Sequence, residues 1–216
     1  MIVPTDVFAL VSVAIALCAV AMYPFRFWLP SWFKGRATGW VKAWILALFI
    51  ALLVPMPGAS IPLAGFFRGI IGDLSITLLV LSVWSLCHRL FDIAAISKHE
   101  LTALLAVVGA AAVLLYPTAL GWGDWDAYRP GWGSWWFLAA LLTLCGASAW
   151  MGLRVLPALV ALALLAWSVG LMESGNLWDY LLDPWLSAFA LGFVFIKCWQ
   201  IMVKRFDNRS NSRSSH

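Results

Sequence analysis

SWWFLAALLTLCGASAWMGLRVLPALVALALLAWSVGLM, residues 134–172, holds one charged side chain, Arg154, among thirty-nine residues. The apolar runs on either side of it, 134–152 and 154–172, are each close to the roughly 20 residues that a membrane-spanning helix requires. In hydrocarbon every backbone N–H and C=O must find its partner inside the segment, which leaves the helix as the single-segment solution. Pro157 falls in the first turn of the second arm, where a missing N–H costs nothing. The stretch therefore predicts a tight helical hairpin closed around Arg154.

The rest of the chain follows the same pattern. It is 63% hydrophobic and 11% charged, with a mean hydropathy of +0.91, whereas soluble domains carry about 25% charged residues. A water-facing surface cannot be assembled from so few polar groups. Apolar runs recur at about 7–23, 40–56, 73–91, 101–118, 134–152, 154–172 and 184–203. The expected fold class is an all-α integral membrane protein, a polytopic bundle of about seven transmembrane helices, with six to eight allowed by the length. Residues 1–203 are expected to form a single transmembrane helical domain. The remainder, KRFDNRSNSRSSH at 204–216, reads as a polar, disordered cytoplasmic tail. The first run lacks a basic leader and does not read as a cleaved signal peptide. Cys18, Cys87, Cys145 and Cys198 follow no metal spacing and read as free packing thiols.

Orientation follows from lysine and arginine, which stay on the cytoplasmic side of short loops. With the N-terminus outside, twelve of the fourteen basic residues fall inside and only Arg68 and Arg129 outside. Seven acids lie outside: Asp6, Asp73, Asp124, Asp126, Glu173, Asp179 and Asp183. The expected location is a bacterial inner membrane, C-terminus cytoplasmic, with an acidic, aromatic outer face and a basic inner one.

Two outer segments carry that aromatic character. The first, GWGDWDAYRPGWGSWW at 121–136, holds five of fifteen tryptophans and a half-repeat, GWGDW returning as GWGSW. The second is MESGNLWDYLLDPWL at 172–186, where Trp178, Leu181, Leu182 and Trp185 have the spacing of an amphipathic turn lying on the membrane. Indoles gather at interfaces because the ring is apolar and its N–H polar, which accounts for Trp28, Trp32, Trp40 and Trp44 on the inner side. The same chemistry also builds recognition surfaces, since rings stack on flat apolar ligands while a few placed polar groups orient them. The candidate recognition surface is Trp122, Asp124, Trp125, Asp126, Arg129, Trp132, Trp178, Asp179 and Asp183. Arg129 is expected to pair with Asp124 and Asp126 or with an anionic headgroup.

Catalytic signals are sparse. Asp124 and Asp126 resemble the outer-loop acids of glycosyltransferases that use polyprenyl-linked sugars, but two carboxylates at i, i+2 are common in loops. Gly121-Trp-Gly-Asp124 is similar to the GxGD of intramembrane aspartyl proteases, whose chemistry needs two facing aspartates inside the bundle. The loop also resembles the tryptophan-rich segment of haem-handling proteins in cytochrome c maturation. Those depend on outer histidines, whereas His88, His99 and His216 map inside, so no cofactor and no metal are expected. Mid-span ionisable groups, the mark of ion pathways, are absent from the sequence apart from Lys197 near a span end. Small residues at Gly109 and Gly146 should let helix backbones approach closely, either within the bundle or against a partner subunit. The expected function is a non-catalytic membrane subunit or scaffold of a cell-envelope system. Its partners are membrane lipids and a membrane or periplasmic protein; nucleic acid is not among them. The alternative is an envelope enzyme or lipid-handling protein acting on a glycolipid or polyprenyl-linked ligand, and a small transporter ranks third.

Overall fold

The computed structural model describes residues 4–28, 39–55, 58 and 60–213. Trp32, Lys34, Arg36 and the side chains of Arg26 and Trp28 lie outside the described part. The described residues are all-helical, with no strand. In chain order the helices are α1 (Pro4–Trp28), α2 (Gly39–Leu53), α3 (Leu63–Ile71), α4 (Ile76–Phe91), α5 (Lys98–Ala119), α6 (Trp135–Trp150), α7 (Val155–Ser168), α8 (Leu177–Leu181) and α9 (Pro184–Arg213).

Each of the seven apolar runs contains a helix, but the helices differ in length. Three are long and apolar enough to cross a membrane: Pro4–Tyr23, Lys98–Ala119 and Pro184–Lys204. The helices α2, α4, α6 and α7 have 15, 16, 16 and 14 residues, or roughly 21–24 Å at 1.5 Å per residue. That falls short of the roughly 30 Å hydrocarbon core. Stop signals inside the runs set these shorter lengths. Ser75 caps α4 with its side chain, and the glycines at 152 and 170 take left-handed φ values of 79° and 63° just past the ends of α6 and α7. At the other end of the chain, α9 continues to Arg213. It takes in most of the segment expected to be disordered, since a nucleated helix extends at little cost per residue.

The chain divides into two units, residues 1–97 with 130–183, and residues 98–129 with 184–216. In the first, α1 is central. Val13, Ala14, Cys18 and Met22 of α1 meet Val41, Ile45 and Leu52 of α2, Ala64 of α3 and Leu74 in one buried cluster. The spacings 14–18–22 and 41–45 are the period of one helix face. The helix α4 packs on α1 and α7, and α7 on α6 and α8. The hairpin around Arg154 forms as expected: the Leu153 N–H donates to Ser148 O at 2.9 Å, and Pro157 lies in the first turn of α7. Buried Leu156, Leu159, Val160 and Ala163 line one face of α7, while Leu162, Leu165 and Val169 on the other side are exposed.

In the second unit α5 lies along α9. The buried stripe Leu104, Leu105, Val108, Gly109, Ala112 and Leu115 has the 3–4 spacing of one helix face. A Cβ placed on Gly109 would stand 3.4 Å from Val194 Cγ2 and 3.8 Å from Ala190 O, so this glycine permits close backbone approach. Gly146 does not behave alike. Nothing lies within 4 Å of a Cβ placed there, so among the described residues no helix approaches closely at Gly146.

Candidate functional site

The 121–136 stretch is shaped by its glycines. Gly121, Gly123 and Gly133 have φ of 88°, 92° and 96°, a region that side-chain-bearing residues rarely enter. Gly123 and Gly133 are equivalent positions of the half-repeat, so the repeated letters encode a repeated turn. The two halves nonetheless fall in different units, the boundary lying between Arg129 and Pro130.

The first half is open. Trp122 is 76% exposed, and Asp124, Trp125, Asp126 and Arg129 are also exposed. Asp126 Oδ1 accepts the Tyr128 N–H at 2.8 Å, an Asx turn. The Ala127 N–H donates to Thr118 Oγ1 at 3.3 Å, tying the loop back to the end of α5. No ion pair joins Arg129 to Asp124 or Asp126; the short Asx turn uses Asp126 locally, and Arg129 begins a 3-10 turn at 129–132.

The second half is locked onto residues 172–183. Gly131 is buried, and a Cβ there would stand 1.8 Å from Asn176 Oδ1 and 2.7 Å from Trp178 Cδ1. No side chain fits. Asn176 is fully buried and caps α8, its Oδ1 accepting the Trp178 N–H at 2.9 Å. The Asn176 N–H donates to Ser174 Oγ at 3.0 Å, and that hydroxyl donates to Asp179 Oδ2 at 2.5 Å. The Trp178 ring lies 4.6 Å from the Phe137 ring, and the Trp132 ring lies over Gly175. Trp167 Nε1 donates to Gly175 O at 2.8 Å. Fully buried Tyr180 accepts the Met172 N–H at 3.1 Å and donates to Ser174 O at 3.1 Å.

Asp183 is also buried. Its Oδ2 accepts the Ser75 N–H at 3.1 Å and the Ser75 hydroxyl at 2.6 Å, while Ser75 Oγ accepts the Leu78 N–H at 3.1 Å. One carboxylate thus fixes the start of α4. The sequence-derived surface therefore separates by role. Trp178 and Asp183 are interior, and Asp179 is partly buried in the first turn of α8. Trp122, Asp124, Trp125, Asp126, Arg129 and Trp132 stay exposed. The amphipathic turn at 178–185 is corrected too: Trp178, Leu181 and Leu182 are buried within the protein, and only Trp185 is exposed.

Sequence reasoning missed a cluster around Arg68. Its Nε and Nη2 donate to the two carboxylate oxygens of Asp73 at 2.6 and 3.2 Å. Nη1 donates to Asp6 at 2.8 Å and Nη2 also to Glu173 at 2.8 Å. The hydrogen bonds that the guanidinium donates to Asp73, then those to Asp6 and Glu173, hold it even more firmly protonated, against the opposing effect of partial burial. Sequence singled out Arg68 as one of two outer basic residues but could not say which acids it meets. A small cleft beside it is lined by Thr5, Phe8, Ser12, Asp73 and Met172. At the other end of α1, Arg89 lies over the Tyr23 ring at 5.7 Å, and Lys42 over Phe91 at 4.9 Å.

Chemically, the exposed set offers stacking faces and carboxylates. Among the described residues no three His, Cys, Asp or Glu side chains are arranged to hold a metal ion. Compared with protein-family models, curated proteins and solved structures, the chain matches none.

Proposed function

We propose that this chain is a multi-pass protein of a bacterial inner membrane, with seven spans, the N-terminus outside and the C-terminus cytoplasmic. It acts as a non-catalytic subunit or scaffold of a cell-envelope system. Its tryptophan- and aspartate-rich outer face engages a partner protein or a lipid headgroup. Helices of 14–16 residues span with help from flanking residues and local thinning of the bilayer, at modest cost per ångström of mismatch.

The sorting of charged and aromatic groups onto two opposite sides gains support from the ends of α1. Asp6, Arg68, Asp73 and Glu173, which charge counting assigns to the outside, meet at one end. Tyr23, Lys42, Arg89 and Phe91, assigned to the inside, meet at the other. The observation that carries the functional reading is the division within the candidate surface. Trp178 and Asp183 are consumed by internal packing, whereas Trp122, Asp124 and Trp125 remain exposed on a loop fixed by glycine turns. Exposed aromatics beside placed acids are what an interface anchors on.

The test is detergent purification of the wild type beside an Asp124→Asn, Asp126→Asn double variant, at matched membrane abundance. Stoichiometric co-elution of a larger membrane protein with the wild type, lost in the double variant, supports the reading. Equal recovery of partners, or full complementation by the double variant, overturns it.

A further inference from the structure

We infer that α3 is a lipid anchor lying flat in the outer headgroup–acyl boundary, with its single arginine turned into the protein. This rests on the proposed orientation, which places residues 55–72 outside. Those eighteen residues contain one charged side chain, Arg68. In a loop surrounded by water the arginine would point outward and the apolar residues inward. Here the reverse holds. Arg68 is taken up by Asp6, Asp73 and Glu173, while Phe66 and Ile70 are 48% and 79% exposed. Positions 66, 69 and 70 share one helix face, and a Cβ on Gly69 would meet nothing within 4 Å. The opposite side of α3 is packed, with Ala64 fully buried in the cluster formed with α1 and α2.

Lipid is the occupant that fits this surface. Along α2 and the residue just past its end, Leu46, Ile50 and Val54 are exposed at intervals of four, a stripe that faces acyl chains if α2 spans. After it the chain turns through the 55–62 loop, closed by the pairing of Pro55 with Pro62, and Ile61, Phe66 and Ile70 beyond Pro55 are exposed as well. A helix in the interface plane needs an apolar face and polar groups held away from the acyl region. The three carboxylates provide the second condition, because a guanidinium satisfied by the protein's own acids no longer requires water.

The test uses vesicle-reconstituted full-length protein with Cys87, Cys145 and Cys198 replaced by alanine and the buried Cys18 retained. Ile70→Cys and Gly69→Cys are spin-labelled separately, with Asp124→Cys as the water-exposed control. For both α3 labels the ratio of collisions with molecular oxygen to collisions with a water-soluble nickel chelate should be several-fold higher than at position 124. Chelate access equal to the control at both positions overturns the anchor. Shielding from both reagents also overturns it, since protein would then cover the face. In sealed cells an impermeant thiol reagent should reach the Asp124→Cys variant. If it does not, the orientation and the assignment to the outer leaflet fall, even where the α3 labels report lipid.

Discussion

GWGDW at 121–125 and GWGSW at 131–135 share four residues of five and a left-handed central glycine, yet their surroundings differ. Around the first, nothing stands within 4 Å of a Cβ placed on Gly121 or Gly123. In the second, Gly131 is pressed against Asn176 and Trp178, and Gly175 lies under Trp132. The same letters make a free loop in one unit and a keystone in the other. The turn is encoded locally by glycine; what the turn is used for depends on whether a buried polar group waits beneath it. Tryptophan content alone therefore does not identify a recognition surface.

The sharpest way to break this contrast is Gly131→Ala against Gly121→Ala. At Gly131 the added carbon must displace Asn176, and overpacking of this kind typically costs about 1–3 kcal/mol, occasionally more. We expect the upper end of that range. At Gly121 only the backbone strain of a left-handed alanine remains, roughly 1 kcal/mol. Melting in detergent should rank the two clearly, and equal melting temperatures would remove the keystone.

Asp183→Ala comes next. It strips the acceptor from the buried Ser75 N–H and hydroxyl, at an expected cost of about 2 kcal/mol. Asp124→Ala should be silent in the same assay. Asn176→Ala removes the α8 cap and should cost about 1 kcal/mol; an unchanged melting temperature would show that the cap is replaceable. Smallest of all in stability is Asp124→Asn with Asp126→Asn, expected within about 0.5 kcal/mol of wild type. This pair should alter partner recovery instead. A variant that melts early and still recovers its partner would invert the roles assigned to the two halves.

Helix positions were legible because apolar runs report burial or lipid directly, and the Arg154 hairpin and the close approach at Gly109 followed from them. Helix lengths were not. A run counts Ser75, Ser134 and Gly152 as compatible with hydrocarbon, although each of them lies just beyond a helix end. The burial of Trp178 and Leu181 was hidden for a different reason: a 3–4 spacing describes a face, and says nothing about whether membrane or protein meets it. The Arg68 cluster was hidden by distance along the chain. Its members at 6, 68, 73 and 173 are brought together by packing, and no spacing rule links residues so far apart.

Those separations have a consequence for how the protein is made. Asp73 follows Arg68 by five residues, Asp6 precedes it by 62, and Glu173 lies 105 further on. Domains assemble from the N-terminus as synthesis proceeds. In the proposed orientation, Arg68 must be exported against the usual cytoplasmic retention of basic residues. Asp73 travels in the same short segment, so the translocating loop carries no net positive charge. Asp6, already delivered, completes a second contact as the loop arrives. On the same proposal, Glu173 closes the cluster only after the sixth apolar segment has entered the bilayer. In that orientation a single side chain would mark three stages of biogenesis in order.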